Sequence, residues 1–123
     1  IIARKSETEA WKAAETLLDS RSQTVVNQRN ATFSKNTMEG QKYQIEMHKN
    51  HIVDDNLWNG ISTVRVNCGT AIVGNYDQVT SKLYDYWKLG IDEFILSGYP
   101  HVEECNRIAE EIIPVFKNKL VQE

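Results

Sequence analysis

The chain has 123 residues, 41% hydrophobic and 25% charged, with a net charge of −3. These proportions belong to a globular domain and exclude a wholly disordered chain. No apolar run nears the roughly 18 residues that suggest a membrane span, and the slight acidity offers no cationic footprint for nucleic acid.

A small molecule is therefore the expected partner. Cys68 and Cys105 are the only cysteines and show no C-x-x-C spacing, so neither a zinc site nor a disulfide framework is indicated, and a reducing cytoplasm is the default compartment. His48 and His51 stand three apart, but no carboxylate or third histidine has a supporting spacing, so they read as a solvated face and no metal is expected. The length fits one small domain or a piece of a larger one. The opening Ile1-Ile2, without a Met or a leader-like run, favours a piece.

In chain order, Ile1 to Ala3 reads as the end of a strand. Ser6-Glu7-Thr8-Glu9 has the form of a capping box, so a helix follows, with Ala10, Trp11, Ala14, Leu17 and Leu18 forming one apolar stripe. From Arg21 to Asn56 the chain is polar with isolated apolar residues. It reads as one or two weakly amphipathic helices around a mobile connection near Asn36 to Gly40. This insertion is either a lid over a site or a variable surface element.

Thr70-Ala71-Ile72-Val73, closed by Gly74, suits a buried parallel strand. Asn75 can cap the next helix, whose buried face is Val79, Leu83, Tyr86 and Trp87, and Gly90 supplies a left-handed stop. Phe94-Ile95-Leu96 reads as a further strand. After Ser97 to His101, the residues Cys105, Ile108, Ala109, Ile112, Ile113 and Phe116 return at helical spacing, and Pro114 should kink or shorten that helix near Ile113. The order β, α, insertion, β, α, β, α implies parallel strands joined by right-handed crossovers, in an open sheet or an arc of a barrel. In a barrel the functional groups sit in the loops after the strands, here Gly74 to Asn75 and Ser97 to His101.

Two segments carry a resemblance: Gly69-Thr70-Ala71-Ile72-Val73-Gly74, and Leu89-Gly90-Ile91-Asp92-Glu93-Phe94-Ile95-Leu96-Ser97-Gly98-Tyr99-Pro100-His101-Val102-Glu103-Glu104. Both resemble the end of the barrel in FMNH2-dependent alkanesulfonate monooxygenases of the bacterial luciferase-like family, and the S-G-Y-P-H-x-E-E run is the most specific part. Arg4, Glu9 to Ala14, Asn56 to Gly60 and Val64-Arg65 also match, while residues 21–55 match loosely.

The resemblance implies that residues 1–123 are the C-terminal part of a single (β/α)8 TIM-barrel domain, with the insertion as a mobile lid. It implies an enzyme that takes reduced FMN from a separate NAD(P)H-dependent reductase and uses O2 to convert an alkanesulfonate to an aldehyde and sulfite, for sulfur acquisition. By the same resemblance Tyr99, Arg65 and His101 are catalytic, while Tyr99, Arg65, Ser97 and Gly98 bind the cofactor. A homo-oligomer is also implied. The family carries further groups on earlier strands, so this chain alone is expected to lack activity.

The chemistry of these residues suits those roles. Arg65 carries a permanent planar charge for a sulfonate, phosphate or anionic flavin. Tyr99 can donate a hydrogen bond while its ring shields an intermediate from water, and His101 can move a proton near neutral pH. Without the family, Tyr99 is as readily an ordinary loop aromatic, His101 a helix-capping residue and Arg65 a surface residue. The alternatives are another luciferase-like flavin monooxygenase or oxidoreductase, or a non-catalytic small α/β module.

Overall fold

A computed structural model of the chain describes residues 1–19, 52–63 and 69–122. In order, the elements are β1 (Ile2–Arg4), α1 (Glu7–Asp19), β2 (Ile52–Asp54), β3 (Leu57–Trp58), a 3-10 turn (Gly60–Thr63), β4 (Ala71–Asn75), α2 (Tyr76–Lys88), α3 (His101–Arg107), a π turn (Ile108–Ile112) and α4 (Ile113–Val121). Strands and helices are mixed along the chain, as the α/β reading expects. They divide into two compact units, Ile1–Trp11 with Ile72–Glu123, and Lys12–Ala71. No helix among the described residues is long and apolar enough to cross a membrane.

The first unit is built on the parallel pair β1 and β4, with Ile2 opposite Val73 and Arg4 opposite Asn75. Local chemistry sets the helix ends. The Glu9 amide donates to Ser6 Oγ and the Ser6 amide to Glu9 Oε2, each at 3.3 Å, which closes the expected capping box on α1. At α2 the Gln78 amide donates to Asn75 Oδ1 at 2.9 Å, and Gln78 Oε1 accepts from the Asn75 amide at 2.8 Å. Gly90, at φ 98°, ends α2 as expected. Its amide donates to the Trp87 carbonyl and the Ile91 amide to that of Tyr86, the paired bonds of a Schellman stop.

The core of this unit is Ala3, Val79, Leu83, Ile108 and Ile112, with Ile1, Ile72, Tyr76, Phe94, Leu96 and Phe116 packed against it. On α2 the buried stripe is Val79, Thr80 and Leu83, while Tyr86 and Trp87 are only half-buried. Thr80 can enter the core because its hydroxyl donates to the Tyr76 carbonyl at 2.7 Å, leaving its methyl to pack. On the exposed side Lys88 donates to Asp85 at 2.9 Å and holds that carboxyl below its ordinary value. A pair so exposed contributes little to stability.

Two expectations are corrected here. Phe94 to Leu96 form no strand: residues 91–98 have no regular structure. The residues still alternate as an extended chain does, Phe94 and Leu96 toward the core and Ile95 outward at 96% exposure. A strand needs a ladder of partners, and this segment forms none, although the Ser97 carbonyl accepts from Ile1 N at 2.8 Å. The second correction concerns the last helix, whose buried seam is Glu104, Ile108, Ile112 and, partly, Phe116, with Cys105, Ala109 and Ile113 exposed. The Ile113 amide donates to the Ile108 carbonyl, five residues back. This wider turn accommodates Pro114, which lacks a donor and would crowd the carbonyl four residues before it. It also matches a seam that repeats every four residues.

In the second unit β2 and β3 form an antiparallel hairpin, Ile52 opposite Trp58, around Asp55 and Asn56. Asn56 takes φ 61°, a left-handed conformation that asparagine tolerates better than most residues. Residues 21–51 of the expected insertion, with His48 and His51, lie outside the described residues. Its last part is strand and turn, where the sequence suggested helix. Trp58, the last residue of the hairpin, and Asn59, Ile61 and Ser62 after it are buried, and the Ser62 amide and hydroxyl both donate to the Asn59 carbonyl, at 3.1 and 2.7 Å.

Candidate active site

The loop from Ser97 to His101 gathers four of the five site residues expected from the sequence; the fifth, Arg65, lies outside the described residues, as does Cys68. The loop is fixed from both ends. On one side the Ser97 carbonyl accepts from Ile1 N at 2.8 Å. On the other, the Glu104 amide donates to the Pro100 carbonyl at 3.1 Å, closing the first turn of α3. The Tyr99–Pro100 peptide is cis.

Within the loop His101 Nδ1 lies 2.9 Å from the Gly98 carbonyl oxygen. A carbonyl can only accept, so in the neutral ring the proton is on Nδ1 and Nε2 is the acceptor. His101 is therefore not the side-chain cap of α3; it turns back onto the loop that precedes it. The Tyr99 ring, 44% exposed, meets the His101 ring edge-on, with centroids 5.8 Å apart and planes at 88°. An aromatic face and a histidine with one nitrogen already committed thus stand side by side at the surface. Such a pair can bind a flat ligand and exchange one proton with it.

Beneath the loop lies the last residue of the S-G-Y-P-H-x-E-E run, to which the sequence assigned no role. Glu104 is 2% exposed, and its carboxylate is held by two guanidiniums. Arg4 reaches it with Nη2 at 2.8 Å and Nη1 at 3.2 Å, and also donates to the Ala3 carbonyl at 2.7 Å. Arg107 donates to the same carboxylate from one turn along α3. The i, i+3 spacing of Glu104 and Arg107 was a legible signal. The Arg4 contact was not, because it joins residues 100 positions apart.

Gly98 is required by this packing. A Cβ there would lie 2.5 Å from Glu104 Cβ and 3.3 Å from the Ile1 carbonyl oxygen. Gly98→Ala is therefore expected to cost roughly 1–3 kcal/mol, the usual range for overpacking. It should also displace the Tyr99 and His101 resonances in NMR spectra. Unchanged stability and spectra would contradict the close approach. Scanned against models of known protein families, the chain matches none.

Proposed function

We propose that the chain is the C-terminal arc of a luciferase-like (β/α)8 barrel in an alkanesulfonate monooxygenase that uses reduced FMN, with the loop of Ser97 to His101 at the reacting centre. The observation that carries this reading is the paired Tyr99 and His101, set edge-on within the S-G-Y-P-H-x-E-E run. The parallel pairing of β1 and β4, each followed by a helix, supports the barrel, because parallel neighbours joined by a crossover are its repeating unit.

The donor set fits a reduced flavin ring: a half-exposed aromatic face, a phenol donor and an imidazole acceptor, with no acidic side chain among residues 97–101. When bound, the flavin supplies the activation of O2. Tyr99 would donate a hydrogen bond and exclude water with its ring. His101 Nε2 would take up or return a proton, and Ser97 and Gly98 would line the cofactor's edge. Arg65 would act in catalysis and in holding the cofactor, its fork suiting a sulfonate, a phosphate or an anionic flavin. In this reading the enzyme works as a homo-oligomer in the cytoplasm, and a separate NAD(P)H-dependent reductase delivers the reduced FMN.

The test is sulfite release by the whole protein that contains this chain, given short and longer alkanesulfonates with FMN, NAD(P)H and a flavin reductase under air. Sulfite should appear, and Tyr99→Phe should lower kcat on the order of 100-fold, the cost of losing one donor aimed at developing charge. No sulfite from any sulfonate would move the function to another flavin chemistry of the same barrel or to a non-catalytic α/β module. Release undiminished in the variant would remove Tyr99 from the site.

A further inference from the structure

Among the buried polar groups of the first unit, Glu104 is the one tied at once to a strand end, a helix and the site loop. Its carboxylate takes Arg4 from β1 and Arg107 from α3, while the stem of its side chain is the surface against which Gly98 rests. Gly98 in turn presents the carbonyl that accepts from His101 Nδ1. We infer that Glu104 is a positioning residue: clamped by the two arginines, it fixes Gly98 and thereby selects the tautomer of His101 that leaves Nε2 as the acceptor beside Tyr99. The inference deepens the monooxygenase reading and rests on it for its catalytic consequence, but not for its tautomer consequence.

The reasoning runs through charge and geometry. A carboxylate at 2% exposure is retained only when its partners compensate for lost hydration. Two guanidiniums from different elements do so here, and their forks leave the carboxylate little freedom to rotate. A neutral amide of the same shape would fill the same space but hold the two arginines weakly. The floor beneath Gly98 would then loosen without a cavity being made. A misplacement of about 1 Å at a reacting group can cost roughly 100-fold in rate.

The experiment compares the whole wild-type protein with Glu104→Gln and Arg107→Gln. The imidazole nitrogens of His101 are observed by 15N NMR without substrate, and sulfite release is measured in parallel. The wild type should show the Nδ1–H tautomer, and Glu104→Gln a mixture of the two neutral tautomers. Its kcat should fall about 10- to 100-fold with KM for the sulfonate within about twofold. A role in stability alone would leave the tautomer of the folded protein unchanged. A folded Glu104→Gln protein with His101 still in the Nδ1–H form overturns the inference. If that variant does not fold, Arg107→Gln, altered at a partly exposed side chain, decides by the same tautomer measurement. If the wild type releases no sulfite, the monooxygenase reading fails while the tautomer comparison still decides the role of Glu104.

Discussion

Ile112→Ala is expected to lower the unfolding free energy by about 2–5 kcal/mol, whereas Ile113→Ala should change it by less than about 1 kcal/mol. Ile112 is fully buried in the cluster with Ala3, Val79, Leu83 and Ile108, while Ile113 is 37% exposed. Truncating the first removes packed atoms and leaves a hole that a dense core fills only in part. Truncating the second removes atoms that already touch water. Urea unfolding of both variants, with m-values compared to confirm a common unfolded state, checks the difference. Equal losses would mean that the widened turn at Ile108–Ile112 does not exist and that the helix keeps its ordinary period.

Gly60→Ala is expected to cost the second unit at least the roughly 1–3 kcal/mol of overpacking. A Cβ at Gly60 would lie 2.3 Å from Cε2 and Cζ2 of Trp58 and 2.6 Å from Nε1. The indole is 3% exposed and cannot swing aside without uncovering a large apolar surface. The upper limit is the 3–5 kcal/mol that removal of a buried tryptophan ring typically costs. Because the chain has three tryptophans, the variant is best read in a background where Trp11 and Trp87 are phenylalanine. There, Trp58 emission should shift to the red and the unfolding midpoint should fall. An unmoved emission maximum together with an unmoved midpoint would show that the ring does not lie over Gly60.

The contrast between these two positions explains what the sequence could reveal. Helix ends were legible because their chemistry is local: Ser6 with Glu9, Asn75 ahead of α2, and Gly90 at its end each act within a few residues. The buried face of the last helix was read correctly at Ile108, Ile112 and Phe116 but drawn too wide, since Cys105, Ala109 and Ile113 are exposed and Glu104 is buried. The pattern assumed a period of 3.6, and Pro114 imposes a wider turn just where the seam crosses. The hairpin before Trp58 was hidden in a polar stretch, since both strands are short and β2 buries no residue. Only the Asp55-Asn56 turn could have betrayed it.

The candidate site was legible in its surface and illegible in its foundation. The loop of Ser97 to His101 stands out as a motif, and Tyr99 and His101 do lie together. That Glu104 lies buried beneath them follows from Arg4 closing on it across the length of the chain, which no local pattern encodes.

That long closure also sets an order of events during synthesis. Arg4 leaves the ribosome 100 residues ahead of its partner, an interval of roughly 5–20 s at ordinary translation rates. For most of that time Ile2 and Ala3 lack β4, and for all of it they lack the last helix, as cover from within this stretch. Helix α1, only 13 residues long, is too short to be firmly stable alone. Within this stretch, the strand of Ile2 to Arg4 waits longest for the residues that close over it, which gives chaperones, and proteases, a window on its apolar side chains.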